Sequence, residues 1–484
     1  MYLGLDLGTS ALKGMLIDAG QNVIATAGAP LTVSRPNDGW SEQDPAHWAI
    51  ACETVLDALK ASHPVELSAV KGIGLSGHMH GATLIDRADR VIRPCILWND
   101  TRAHREAKEL DDNPLFRQIT GNIVFPGFTA PKLVWVERNE PDNFARVAKV
   151  LLPKDYLRLW LTGEHMSEMS DSAGTAWLDT GARSWSPELL DVTNMRRDQM
   201  PELVEGSQVG GTMHPALAAR WGMGSNIVVA GGAGDNAASA IGMGTIAAGS
   251  AFVSLGTSGV LFAANDAYLP NAASAVHTFC HALPETWHQM GVILSATDSL
   301  NWLAGVAGVD AGALTGELGD TLLAPGNPTF LPYISGERTP HNDAAIRGAF
   351  SGLGHDSDRP ALTRAVLEGV CFAFRDCLEA LRIAGTEISR VTAIGGGSRS
   401  DYWLKAMATT LGLPVDVPRS GDFGAAFGAA RLGLIAAENA DPSDVCIAPA
   451  TARTFEPEQS LSGAFDAAYQ RYVKLYPAIK GATQ

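Results

Sequence analysis

Twice in the chain the residues Leu-Gly-Thr-Ser follow a short apolar run. Leu7-Gly8-Thr9-Ser10 follows residues 2–6, and Leu255-Gly256-Thr257-Ser258 follows residues 250–254. Glycine permits a tight turn whose backbone N–H groups point inward, and the threonine and serine hydroxyls add donors, so each turn can cradle phosphate oxygens. One copy alone is ordinary hairpin chemistry. Two copies in the same strand–turn–strand setting, half a chain apart, suggest two related lobes built from one unit. Two such hairpins facing across a cleft would hold a triphosphate from both sides. Asp6 closes the first strand, where a carboxylate can hold Mg²⁺ through water, and Lys13 follows closely enough to reach a phosphate oxygen.

Two further glycine clusters stand between a strand and a helix. In Gly231-Gly232-Ala233-Gly234-Asp235-Asn236 the aspartate falls at the helix start. An aspartate there is commonly an N-cap; beside bare backbone in a cleft it is also a base able to take the proton of an attacking hydroxyl. Ile394-Gly395-Gly396-Gly397-Ser398 either admits a flat ligand such as adenine or packs a helix on a strand.

Other signatures fail in context. No lysine follows a glycine, so a Gly-Lys-Ser/Thr phosphate loop is absent. Gly72-Ile73-Gly74-Leu75-Ser76-Gly77 spells a dinucleotide motif. However, His78-Met79-His80-Gly81 follows it with no amphipathic helix, and no acidic residue stands where the ribose contact belongs. His78 and His80 would share a side if extended, and His277 and His281 a face if helical, which raises zinc. No third ligand at suitable spacing supports it, and hydrogen bonding is the expected role.

The elements that must carry these groups alternate. Strands are expected over 2–6, 11–18, 23–27, 69–75, 227–230, 250–254, 259–263 and Val391–Ile394, and helices over 45–61, Arg359–Ile383 and Asp401–Leu411. Mixed α/β lobes with partly antiparallel sheets follow, divided near 243–250.

The 484 residues are about three times a typical domain length, and 46% hydrophobic against 18% charged content fits a globular chain. Thirty-six basic against 52 acidic residues leave a net charge of −16, which argues against nucleic-acid binding. The first residues, Met1-Tyr2-Leu3-Gly4-Leu5-Asp6, lack the basic start of a signal peptide. Six scattered cysteines without a CxxC pair suit reduced thiols and a cytoplasmic setting. Residues 237–264 carry no charge, but eleven of them are Gly, Ser or Thr, so a buried helix followed by strands is expected there and no membrane span.

Taken together, the chain resembles the FGGY carbohydrate kinase family of the sugar kinase, Hsp70 and actin superfamily, and most closely its members that act on D-xylulose. The resemblance rests on Gly4-Leu5-Asp6-Leu7-Gly8-Thr9-Ser10, Trp40-Ser41-Glu42-Gln43-Asp44-Pro45, Gly77-His78-Met79-His80-Gly81-Ala82 and Ile96-Leu97-Trp98-Asn99-Asp100. It continues through Pro126-Gly127-Phe128-Thr129-Ala130-Pro131-Lys132, Leu152-Pro153-Lys154-Asp155-Tyr156, Ser254-Leu255-Gly256-Thr257-Ser258-Gly259 and Ser335-Gly336-Glu337-Arg338-Thr339-Pro340 to the Gly395-Gly396-Gly397-Ser398 loop. The one departure is an extra residue in the turn before Asp235.

The resemblance implies two ribonuclease H-like α/β lobes of the actin/hexokinase superfamily, residues 1–244 and 245–484, with a cleft between them. It implies transfer of the ATP γ-phosphoryl group to the 5-hydroxyl of D-xylulose, with ribulose, fuculose or glycerol as alternative acceptors. A non-kinase ATP-dependent clamp is the rival class. Residue by residue, Asp235 matches the general base and Asp6 the carboxylate that organises Mg²⁺. Gly8, Thr9, Ser10 and Lys13 match the first phosphate loop, Gly256, Thr257 and Ser258 the second, and Gly396 and Gly397 the adenosine loop. Met79 and His80, then Trp98, Asp100 and Asn236, match sugar contacts. A homodimer is a further implication, although no sequence patch marks an interface. Residues beyond about Leu434 match no motif.

Overall fold

The computed structural model describes residues 1–419 and 423–483. In the first half, β1 (Tyr2–Leu7), β2 (Ala11–Ile17) and β3 (Val23–Pro30) form an antiparallel meander. Helix α1 (Pro45–Ser62) follows, started by the Asp44 side chain, which accepts the Ala46 N–H, and by Pro45 in the first turn. It leads to β4 (Gly72–Gly77), parallel to β1. After α2 (Thr129–Asn139) and α3 (Pro153–Thr162), the chain adds β5 (Val209–Thr212), β6 (Val228–Ala230), the two-residue β7 (Ala233–Gly234) and α4 (Asp235–Met243). The sheet runs β5-β6-β4-β1-β2-β3, with β7 also paired to β4.

The second half repeats the plan. An antiparallel set, β8 (Ala251–Leu255), β9 (Gly259–Asn265), β10 (His277–Cys280) and β11 (Trp287–Ile293), precedes α5 (Thr297–Ala307) and the 25-residue α6 (Arg359–Ile383). Then come β12 (Val391–Ile394), α7 (Asp401–Leu411), β13 (Val415–Pro418), α8 (Ala425–Glu438), β14 (Thr451–Phe455) and α9 (Ser462–Thr483). The second sheet runs β10-β11-β9-β8-β12-β13-β14. In both halves a meander, a long helix and a parallel strand beside the first strand recur, which is the duplication that the paired Leu-Gly-Thr-Ser turns announce.

Two sequence expectations are corrected here. The run 69–75 is not one strand: Pro64 opens a short helix, Pro64–Ser68, and pairing with β1 begins only where Tyr2 meets Gly72. His277 lies in a strand rather than a helix, so it shares no helical face with His281. The dinucleotide-like glycines are the buried strand β4 itself. Their role is packing, because α8, from the far end of the chain, lies across β1, β4 and β6. A side chain at Gly4, Gly72 or Gly74 would run into the α8 carbonyls of Ala426, Gly433 and Ala429. Helix α4 in turn presents Ala240 to a core containing Phe252 and Phe262 of the second sheet. The two helices cross so closely that a Cβ on Gly428 would strike the Ala238 carbonyl. At this crossing Arg431 donates to the carbonyls of Ile241 and Gly242, to that of Ile447, and to the Gln21 side chain. No described helix is long and apolar enough to cross a membrane, and residues 237–264 form α4, β8 and part of β9.

Candidate active site

The register of three neighbouring strands sets the centre of the site. Gly234 of β7 lies beside Gly77 of β4, which lies beside Leu7 of β1, and Asp6 is one residue back, opposite Ser76 and Lys13. Asp235 therefore emerges at the same sheet end as Asp6. Gly234, not Asp235, is the N-cap of α4; Asp235 is its first helical residue. Its Oδ1 accepts the Asn236 N–H at 2.7 Å and the Asn236 side-chain amide at 2.9 Å. Burial, reinforced by the Asp6 charge, raises the Asp235 carboxyl to about 6. In the preceding turn Gly232 has a φ of +76°, which suits glycine, and a side chain there would meet the Leu75 carbonyl. Mg²⁺ takes one or two carboxylates and keeps waters and phosphate oxygens as its other ligands. Asp6, beside Asp235, fits such a partial set, and no group of three or more His, Cys, Asp or Glu among the described residues could cage a metal.

Met79 and His80 flank this centre. Met79 is buried against Gly234, where a Cβ would stand 2.9 Å from its Cγ. His80 is held at φ +69°, with its carbonyl accepting from Thr129 Oγ1 at 3.1 Å and Lys132 Nζ at 2.8 Å. Its Nδ1 lies 2.7 Å from the Gly174 carbonyl, so that nitrogen carries the proton and Nε2 is an acceptor. Burial, together with the Lys132 charge, holds His80 down to about 3 and so keeps it neutral; the ring stacks on Phe128 at 4.7 Å. Burial also brings Lys132 down to about 7.

Trp98 is exposed and donates from Nε1 to Thr9 Oγ1 at 3.0 Å, tying the 98–102 loop to the first Leu-Gly-Thr-Ser turn. Asp100, the other residue of this loop expected to contact the sugar, is held by protein partners. Only 1% exposed, it accepts the Ser41 N–H at 2.6 Å and pairs with Arg102 at 2.6 Å, which also reaches Glu42. These bonds tie the 98–102 loop to residues 41 and 42.

Both Leu-Gly-Thr-Ser turns anchor their carbonyls. In the first, the Gly8 N–H donates to Ala11, the Thr9 carbonyl accepts from Gln43 Nε2 at 2.7 Å, and the Ser10 carbonyl from the Leu31 N–H at 2.8 Å. In the second, the Gly256 carbonyl accepts from the Thr297 N–H and hydroxyl, and the Thr257 carbonyl from the Ala296 and Asp298 N–H groups. The first turn is one residue longer, since Leu7 pairs with Leu12 but Leu255 with Gly259. Gly396 and Gly397 line a cavity of about 480 Å³ with Thr297, Asn301, Arg399 and Trp403. Gly396 faces open space, while the missing side chain of Gly397 lets Leu255 and Trp403 close in.

Sequence reasoning missed Thr297 and Asn301, which had no glycine motif to mark them. It also left Lys132 without a role, although the residue stands inside a quoted motif.

Residues 1–242 match the N-terminal domain of the FGGY family of carbohydrate kinases and residues 251–437 its C-terminal domain. The chain is 50% identical to the xylulose kinase of Escherichia coli strain K12 over 441 residues, 90% of each chain. Among solved structures it is similar to a xyloylose kinase from Brucella ovis (TM-score 0.98, 67% identity, 99% of each chain covered). A xylulose kinase from Rhodospirillum rubrum gives a TM-score of 0.93 at 29% identity, again over 99% of each chain. The two-lobed, actin/hexokinase-like α/β architecture expected from the sequence is the one these kinases share. By sequence and by fold alike, the chain belongs to the FGGY family of carbohydrate kinases.

Proposed function

We propose that this carbohydrate kinase transfers the γ-phosphoryl group of ATP to the 5-hydroxyl of D-xylulose, with Asp235 as general base. The observation that carries the reading is Asp235, raised to about 6, next to the Gly234 against which Met79 packs, with neutral His80 the residue after Met79. The 50% identity to the Escherichia coli xylulose kinase supports the choice of sugar. A sugar hydroxyl donates to His80 Nε2, Trp98 and Asn236 complete the sugar contacts, and Asp235 faces the hydroxyl that reacts. As that oxygen bonds to phosphorus, its proton passes to Asp235, the bond to the bridging oxygen breaks, and ADP leaves. A loose transition state asks little of a base, so alignment and charge stabilisation by Lys13 and the two loops supply most of the acceleration. Mg²⁺, organised by Asp6, supplies neutralisation of phosphate charge when bound. Adenosine lies against Gly396 and Gly397.

We assign residues 1–244 and 245–484 to the two lobes, with α8 reaching back across the first sheet. Buried thiols at all six cysteines support a reducing, cytoplasmic setting.

The test is ADP release with Mg²⁺-ATP, without sugar and then with a panel of pentuloses and polyols. Strong stimulation by D-xylulose over a low basal rate is expected. Stimulation only by another sugar reassigns the substrate, and an ATPase indifferent to every sugar overturns the kinase mechanism.

A further inference from the structure

Residues 152–156 take no part in the chemistry above, yet α3 and the segment after it build a charge cluster with no exposed surface. Lys154 Nζ stands 2.6 Å from Asp155, 3.2 Å from Glu168 and 3.2 Å from Asp171, and Arg158 approaches Asp155 at 3.9 Å. Burial pushes the Asp171 carboxyl well above its ordinary value, against the pull of the Lys154 charge. Such a cluster is weak ground for stability, because apolar residues of similar volume often serve as well.

What it does is visible in where its hydrogen bonds go. The Arg158 guanidinium donates to the carbonyls of Ala230 and Gly231, where β6 ends and the loop toward Asp235 begins. Glu168 accepts the N–H groups of Ser170 at 2.7 Å and Asp171 at 2.9 Å, and Ser170 Oγ then accepts the Gly234 N–H at 3.1 Å. The loop 231–234 is thus gripped at both ends, and Asp235 is the next residue. Two successive carbonyls match the fork of a guanidinium, which a single ammonium cannot span.

We propose that Arg158 and Ser170 are positioning residues that fix the 231–234 loop, and through it the Asp235 carboxylate, in the orientation for proton transfer. This rests on Asp235 acting as the base. Displacement of a reacting group by about 1 Å costs on the order of 10²-fold in rate. Arg158→Met is therefore expected to lower kcat by about that factor and Ser170→Ala by about tenfold. Nucleotide affinity should stay at the wild-type value in both, and Arg158→Lys should recover part of the loss. In an Asp235→Asn background, adding Ser170→Ala should slow the enzyme no further.

If Asp235→Asn keeps most of its rate, the base assignment fails. If Asp235→Asn is inactive but Ser170→Ala and Arg158→Lys both turn over like the wild type, or if Ser170→Ala lowers the residual rate of Asp235→Asn by its full factor, the positioning role is overturned. Should Arg158→Met not fold, Ser170→Ala carries the same test.

Discussion

At Asp235, burial and the Asp6 charge act in one direction, lifting the carboxyl from 3.8 to about 6. A carboxylate so placed is still ionised at neutral pH and, in the proposed role of base, a better proton acceptor than an ordinary aspartate. The kcat/KM profile should fall about tenfold per pH unit below about 6, read from initial rates across a buffer series. Asp235→Asn should lower turnover by about 10²–10⁴-fold with nucleotide affinity nearly unchanged, checked by titrating nucleotide against the inactive variant. The same lifted carboxyl has a cost in stability. The protonated form favours folding fully below the unfolded value, and that contribution is lost as pH rises to about 6. At pH 8 the ionised side chain therefore costs at most about 3 kcal/mol, and Asp235→Asn should melt higher than the wild type at pH 8 but not at pH 4. Trp98→Phe keeps the ring and removes the hydrogen bond to Thr9; sugar-stimulated turnover is expected to fall about tenfold, while ATP turnover without sugar does not. Chemistry-bearing residues on turns were legible because their types are unusual for strand ends. The partners of Asp100 were not, because only packing brings Arg102 and the Ser41 N–H to its carboxylate.

Among the elements, those with strong punctuation were legible to the residue. Asp358 caps and Pro360 opens α6, and Ser400 and Gly412 bracket α7. The strand beginning at Gly72 was misread by three residues because Ala69 and Val70 suit either state, and pairing with β1 decides. The purpose of the β4 glycines was illegible, since the helix they accommodate lies some 350 residues further on. Gly74→Ala forces a methyl group into the Ala429 carbonyl and is expected to cost about 3 kcal/mol or more. Gly396→Ala meets no atom within 4 Å. It should leave the melting temperature unchanged and raise the KM for ATP alone, so the two alanines separate packing glycines from binding ones in one thermal and kinetic comparison.

For the whole molecule, the duplicated turn revealed two related lobes, and the family motifs their kind. The exchange of helices at their junction was hidden, because small residues that look neutral in sequence became a close contact only in three dimensions. Helices α4 and α8 cross at Gly428, and Arg431 bridges both, at the junction of the lobes. Closure about it on sugar and a non-hydrolysable nucleotide should reduce the radius of gyration in X-ray scattering, and superposable curves with and without ligands would count against it. The placement of α8 also bears on how the protein is made. On a ribosome the first sheet emerges early, but the helix that packs most closely across its strands β1 and β4 is residues 425–438. At about 5–20 residues per second, the opening strand waits roughly 20–90 seconds for its cover. The nascent first half is therefore a long-lived, incompletely sealed chain, a ready client for chaperones, and a gene truncated before residue 425 should direct its product to proteolysis rather than to a half-enzyme.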